Sequence, residues 1–310
     1  MNKLSIEYQN QFTEKLIFDQ SVLDRIDPSA TLHNETFSHP LSSSAACLNV
    51  IGSLSDKPGE LAKFLNAFGL EVEEILEFPS PVSFGKRLYK DKGYAVFEWV
   101  GPLRSPINER GGSRGKLRTS IDAYIVGIIG GKITQILIEW KFTEGKSRPL
   151  ALGRFCGRKG IERLRRYTPI LDELKRKDDF PFNFSQEYRE NEPDSSLGIC
   201  DFSPDHLYQL LRITLLAKKT TGMVLGNYPL QDYRVVHLTH SQNERINILH
   251  PEYLTLCPGL QPYSGHQLHE VWKTLLSPGE KEKFFAGYWD KAINQIENDE
   301  LRTYLAKRYA

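Results

Sequence analysis

Residues 119–144, TSIDAYIVGIIGGKITQILIEWKFTE, leave the chain few choices of local structure. Two apolar runs meet at Gly130-Gly131, a dipeptide able to supply both left-handed residues of a two-residue hairpin turn. That turn pairs Ile129 with Lys132 and fixes every pair beyond it, so Asp122 stands directly opposite Glu139. Side chains alternate along a strand, so both acids share one face, and Lys141 shares it with them. Ile121, Ala123, Ile125, Ile136, Ile138, Trp140 and Phe142 point the other way, into a core. The acids' own face is largely apolar near the turn, at Ile128, Ile133, Val126, Leu137 and Tyr124 with Gln135 among them. It becomes ionic only at the far end.

Carboxylates opposite one another in an antiparallel pair have Cβ atoms about 5 Å apart, and like charges there are destabilising. An otherwise consistent element that breaks a local rule often does so at a functional site. A hard divalent cation removes the repulsion: Mg²⁺ takes oxygen ligands, typically one or two carboxylates completed by water and substrate phosphate. Lys141 can then hold or help deprotonate a metal-bound water, or neutralise charge on a scissile phosphate. The plain alternative is a strand that starts in solvent at Asp122, with Glu139 and Lys141 as a surface ion pair.

The same segment resembles the core of the PD-(D/E)xK nuclease superfamily, with Asp122 matching the first acid and Glu139-Trp140-Lys141 the Glu-x-Lys triplet. Ile121 stands where the name-giving motif has proline. With "HPLSSSAACLNVIGSL", "TSIDAYI" and "IEWKFTE", and later "LYQLLRITLLAKK", "YRVVHLTH" and "HEVWKTLL", the chain is similar to a bacterial family of restriction endonucleases. The resemblance runs over about residues 40–290, and the hairpin motif is its specific part. It implies a restriction-endonuclease-like α/β fold: a central mixed sheet flanked by helices, with a helical C-terminal extension. It further implies Mg²⁺, for which Mn²⁺ substitutes, phosphodiester hydrolysis, and DNA as the substrate. The metal ligands would be Asp122, Glu139 and the backbone carbonyl of Trp140. A further acid often comes from the first core helix; Glu60 is the candidate, with Glu77 and Glu98 as strand alternatives. Ser43 and Asn49 are candidates for lining the site, although helix capping explains the serine equally well. Members often dimerise, and a methyltransferase or other defence-system partner fits such a role. A catalytically silent nucleic-acid-binding or interaction protein of the same fold is the alternative.

The remaining features bound this picture. A length of 310 residues allows a sizeable core, and the net charge of +1 gives no whole-molecule nucleic-acid footprint. Local basic charge is present: residues 146–177 hold eleven Lys/Arg against three Asp/Glu. Lys159, Arg163 and Arg166 recur at helical spacing there, and Arg114, Lys116 and Arg118 lead into Asp122. These six are the candidate phosphate contacts. Cys47, Cys156, Cys200 and Cys257 lack metal-type spacing and read as buried free thiols. His237 and His240, three apart in a strand, face opposite ways; His266 and His269 lack a third ligand. Trp272, Tyr288 and Trp289 read as packing residues. No apolar run is long enough to span a membrane and the first residues are polar, so a cytoplasmic location is expected. The expected organisation is an N-terminal arm (1–40), a nuclease-like core (41–250) and a helical extension (251–310) packed on it. Helices are expected at 45–54, 57–70, 158–177 (limited by Pro169), 203–220 and through the C-terminal part, and strands in "EVEEILEFP", "YAVFEWVGPL", the hairpin and "YRVVHLTH".

Overall fold

The computed structural model describes residues 16–27, 30, 39–78, 82–84, 87–89, 93–102, 104–110, 118–144, 153–184 and 197–309. Its central sheet is built on the hairpin. Strands β3 (Ile121–Ile129) and β4 (Lys132–Trp140) pair antiparallel from Ile129↔Lys132 to Ala123↔Ile138. Gly130 and Gly131 adopt φ of 56° and 67°, the conformation that a twist-matched two-residue turn demands. One edge of β3 is shared by β1 (Glu74–Ile75) near the turn and β2 (Val96–Trp99) at the far end, both antiparallel. On the other side, β5 (Asp232–Thr239) joins β4 in parallel and β6 (Phe284–Tyr288) joins β5 in parallel. The sheet is therefore mixed, as expected.

Helices cover both faces, because both faces of the hairpin are apolar over most of their length. Tyr124, Val126, Leu137, Tyr233 and Val235 pack with Tyr167 and Leu171 of α3 (Gly157–Arg176), Leu210 and Leu211 of α4 (Asp205–Thr220), and Trp272 and Leu275 of α5 (Leu268–Leu275). Ala123, Ile125, Ile136, Ile138, Val236 and Leu238 pack with α1 (Ser43–Cys47), with Phe64 and Leu65 of α2 (Pro58–Asn66), and with Leu301 and Leu305 of α6 (Asp299–Tyr309). Ser42 caps α1 by accepting from Ala45 N, and the helix continues as a π turn over Leu48–Gly52. Among the described residues, no helix is long and apolar enough to cross a membrane.

Several expectations need correction. Phe284–Tyr288 is a strand inside a segment that reads as helical, so the C-terminal part adds an edge to the central sheet. Its short aromatic run gives no helical stripe, and tertiary pairing decides its state. Pro169 does not limit α3 but lies inside it. Pro169 and Arg165, whose carbonyl loses its partner there, are both exposed, so water can satisfy that carbonyl. "EVEEILEFP" contributes only Glu74–Ile75 to the sheet. Ile121 packs with the Tyr124 cluster and not with Ala123. All four cysteines are free, but only Cys47 and Cys257 are buried.

Candidate metal and active site

The hairpin ladder ends at Ala123↔Ile138, and the acids lie just beyond it. Where the next backbone bond would form, Asp122 Oδ2 accepts the Trp140 N–H at 2.7 Å. Glu139 follows in register opposite Asp122 and ion-pairs with Lys141 Nζ at 2.5 Å. Glu139 is 4% exposed and Lys141 7%, so this is not a surface ion pair. Lys141 is fixed along its backbone too: its N–H donates to Leu238 O, and its carbonyl accepts Trp289 Nε1 at 2.9 Å. Trp140 stacks on Trp289 with ring centroids 4.8 Å apart, which anchors the middle residue of the triplet. Trp289 and Trp272 are thus packing residues, both fully buried.

A further acid reaches this end of the sheet from β2. Phe97↔Ala123 and Trp99↔Ile121 are paired, which sets Glu98 beside Asp122. Glu98 has φ of 52°, a conformation uncommon outside glycine, and its buried carboxylate accepts from Ser44 Oγ at 3.1 Å and Ser120 Oγ at 2.6 Å. A small cavity is lined by Ser44, Cys47, Glu98 and Asp122. Burial raises the Cys47 thiol, and the charges of Asp122, Glu98 and Glu139 raise it further, so all three acids act on one point at the end of α1. Glu144 adds a carboxylate that accepts the Phe142 N–H at 2.8 Å, as Ser43 Oγ does.

Carboxylates crowd this end of the sheet. Burial raises the Glu139 carboxyl to about 8; Asp122 and Glu144 add to that rise, and Lys141 opposes it. Burial works against the Lys141 ammonium, but Glu139, Glu144 and Asp122 outweigh it and hold the proton on. These acids favour the ammonium form of Lys141. Among the described residues no three His, Cys, Asp or Glu side chains converge as a preformed metal cage. The oxygen donors instead fit a hard divalent ion that takes one or two carboxylates and completes its shell with water and phosphate.

Other candidates fall elsewhere. Glu60 lies on α2, which packs on β1 at the turn end of the hairpin, and it pairs with Lys57 at 3.3 Å. The structure does not bring it to the acids; Glu98, given only as a strand alternative, holds that place. Glu77 also stays at the turn end, where its carbonyl accepts the Tyr228 hydroxyl. Asn49 is structural: it donates to Leu16 O and Tyr309 Oη, each at 2.8 Å. Arg114 and Lys116 lie outside the described residues. Arg118 is 3% exposed and donates to Pro102 O, so its guanidinium is spent on the fold and does not face solvent. Lys159 is exposed on α3, between exposed Arg158 and the buried Gly160. Arg163 is half-buried, donating to Arg154 O at 2.5 Å and lying 5.5 Å from the centroid of the Tyr208 ring. Arg166 lies 5.9 Å from the centroid of the Tyr167 ring.

Histidines set aside as metal ligands on sequence grounds also lie near this end of the sheet. Glu139 pairs in register with His237 on β5, and His237 Nδ1 lies 2.9 Å from His269 Nε2. His240 faces the opposite side, against Phe142 and Trp289, as alternation requires. His206, in the first turn of α4, is buried and held near 4 by desolvation, with Lys141 contributing and Asp205 opposing. Asp205 in turn binds Arg154 at 2.8 Å, which ties the start of α3 to this end of the sheet.

No curated protein and no solved structure matches the chain. One family model does, and it covers residues 2–310. With its mixed sheet and its Asp122/Glu139-x-Lys141 hairpin, the chain belongs to the family described as Restriction Endonuclease associating with ARP.

Proposed function

We propose that the protein is a metal-dependent endonuclease of the restriction or defence type that hydrolyses phosphodiester bonds in DNA. The observation that carries this reading is the Asp122–Glu139–Lys141 cluster at the end of the hairpin, with Glu139 and Lys141 buried and ion-paired, in a chain of a restriction-endonuclease family. Asp122 and Glu139 would hold Mg²⁺, with Mn²⁺ as a substitute, and the Trp140 carbonyl is the third protein donor. The metal, when bound, supplies a water of lowered pKa and a Lewis acid for the phosphoryl oxygen. Lys141, fixed as an ammonium by the neighbouring acids, orients that water and neutralises charge on the scissile phosphate. Trp289 holds the Lys141 carbonyl and stacks on Trp140, so the triplet is pre-organised. Lys159, Arg158 and Arg165, exposed on α3, are suited to contacting the phosphate backbone, with Arg163 and Arg166 beside them.

The test is calorimetric titration of Mn²⁺ into wild type and Glu139→Ala, followed by a cleavage screen over plasmid and genomic DNA. Binding in wild type that is lost in the variant, with cleavage lost in parallel, is expected. Absence of binding to either protein would sink the metal role. DNA affinity without cleavage under any divalent metal would favour the catalytically silent alternative.

A further inference from the structure

The first half of α3, residues 157–166, stands clear of the body: of these residues only Gly160 is buried, where it packs directly on the Phe155 backbone. We infer that this half-helix docks in the major groove of duplex DNA, with Ile161 against the methyl group of a thymine, and so reads bases for the site at the end of the hairpin. This rests on the proposed action on DNA.

Four features carry it. The first is exposure. Arg158, Ile161, Glu162 and Arg165 are all exposed and recur at the spacing of one helix face, with a basic residue one turn to either side of Ile161. This half-helix is about 15 Å long, and the major groove of B-DNA, about 12 Å wide, admits a helix. The second is Ile161 itself, 50% exposed; among the described residues, Ile161 and Val224 are the large hydrophobics left so. One exposed apolar residue is ordinary on any surface. At the centre of a projecting basic face, however, Ile161 meets base edges, where the thymine C5-methyl offers an apolar contact. The third is charge: residues 157–166 hold five Lys/Arg against one Asp/Glu, which suits a polyanion. The one acid, Glu162, adjoins Ile161 and lies 4.0 Å from Arg158. It repels phosphate at the centre of the stripe, whereas a cytosine amino group can donate to it. The centre therefore suits base edges, and the basic ends suit the backbone on either side. The fourth is position. Arg154 and Phe155, just before α3, donate their N–H groups to Ser203 O and Ser203 Oγ, and Arg154 Nε binds Asp205 at 2.8 Å. Asp205 opens α4, and the next residue, His206, is lowered in part by the Lys141 charge. The projecting half-helix thus starts at the Lys141 end of the hairpin.

The half-helix is also held firmly at its base. Arg163 donates to Arg154 O at 2.5 Å and lies 5.5 Å from the centroid of the Tyr208 ring. Asn108 Nδ2 donates to Arg166 O at 3.2 Å. Tyr167 donates to Glu109, which also accepts from Thr119 at the entry to β3. A helix that only covered the core would have no base preference to lose. A protein partner on the same face would bury Ile161 without any dependence on a thymine methyl.

The experiment incubates the full chain with a random-sequence DNA duplex pool in CaCl₂, then selects and sequences the bound fraction. The proteins are wild type, Ile161→Ser, the double variant Arg158→Ala/Arg165→Ala, and Val224→Ser, each checked for folding by thermal melting. Wild type is expected to enrich a motif with a fixed thymine. Deoxyuridine at that position lacks only the methyl group and should weaken wild-type binding about three- to fivefold, the effect of about one buried methyl. Ile161→Ser should bind the two duplexes alike, with unchanged salt dependence. The double arginine variant should lower the slope of log K against log salt by up to about 1.8. Val224→Ser should match wild type. Duplex RNA of the selected sequence should bind at least about tenfold more weakly, because its major groove is too deep and narrow for side chains to read. A thymine preference kept by Ile161→Ser, a selected pool with no fixed thymine, or equal binding of duplex RNA would overturn the inference. If Ile161→Ser fails to fold, Ile161→Ala decides by the same criteria. Plasmid cleavage with Mn²⁺ keeps the two ideas apart: cleavage by wild type alongside any of those results defeats only the role of α3. Neither binding nor cleavage defeats the nuclease reading with it.

Discussion

Two buried acid–base pairs lie in this molecule, and they are built in opposite ways. Glu109 pairs with Arg212 at 2.8 Å and also accepts from Thr119 N–H at 2.5 Å, Thr119 Oγ1 at 2.9 Å and Tyr167 Oη at 2.9 Å. Burial pushes its carboxyl up, but Arg212 and the three other donors outweigh burial and hold it below the usual range. Glu139 pairs with Lys141 at a similar distance but stands among Asp122 and Glu144, and its carboxyl is held well above the usual range. Ion-pair distance therefore does not separate structure from function here; satisfaction of the carboxylate does. The first pair is complete and ties the segment entering β3 to α3 and α4. The second stands desolvated beside further acids, an arrangement that a divalent ion placed there would relieve.

Replacing Glu109 by Ala leaves the half-buried Arg212 guanidinium without its carboxylate and should cost about 3 kcal/mol in denaturant-induced unfolding. Glu139→Gln in the metal-free protein should cost far less or stabilise. Equal losses in the two variants would erase the distinction between the pairs. Next in size is metal linkage: Mn²⁺ at about 100 times its Kd should raise wild-type stability by about 2.7 kcal/mol. Asp122→Asn and Glu139→Gln should remove that gain, whereas a Glu109 variant that still folds should keep it. A thermal-shift series with and without the ion reads all of these.

The pairs should also respond oppositely to pH. Glu139 has a folded-state pKa near 8, above its unfolded value, so the metal-free native state binds the extra proton between the two. Its contribution is fully present at acid pH and lost as pH rises through about 8. Glu139→Gln should then flatten the alkaline side of the stability curve in EDTA. Glu109 is depressed, so its contribution is present above the usual carboxylate range and is lost as pH falls below it. An alkaline limb unchanged by Glu139→Gln would show that Lys141 alone balances that site. The smallest effect concerns the surface. Lys159→Ala should lower the slope of log K for DNA against log salt by about 0.9 without affecting folding. Arg118→Ala should do the reverse, because Arg118 is spent on Pro102 O.

What was legible in the sequence is what local geometry decides. Gly130-Gly131 sets the turn, the turn sets the register, and the register sets Asp122 against Glu139. The packing of Trp272 and Trp289 follows the apolar pattern, whereas the burial of the Glu139–Lys141 pair, expected only as a surface pair in the plain alternative, depends on the surrounding fold. Glu98 was legible only as one strand alternative for the neighbouring acid, because its place depends on pairing between β2 and β3 and on a left-handed φ at a non-glycine residue. The Glu60 expectation failed to reach the site because helical spacing says which face a residue takes but not which end of the sheet the helix packs against. Arg118 reads as a basic loop residue, and only the fold shows its burial. His237 was set aside correctly as a partner of His240, yet its real neighbour is thirty-two positions away on another element. Phe284–Tyr288 is short and aromatic, and parallel pairing with β5 settles what periodicity does not.

The order of strands in the sheet has a consequence for how the molecule comes into being. The β3–β4 hairpin closes locally and early, but β5 lies nearly a hundred residues downstream, and β6 later still. During synthesis the hairpin's acidic end is thus made long before the strand that borders Glu139 and anchors the Lys141 backbone at Leu238. A ribosome-bound fragment has the motif without the walls around it. On the proposed nuclease reading, the acidic cluster would gain its full surroundings only with the distal half of the chain, a delay in time that would protect the DNA of the cell that makes it.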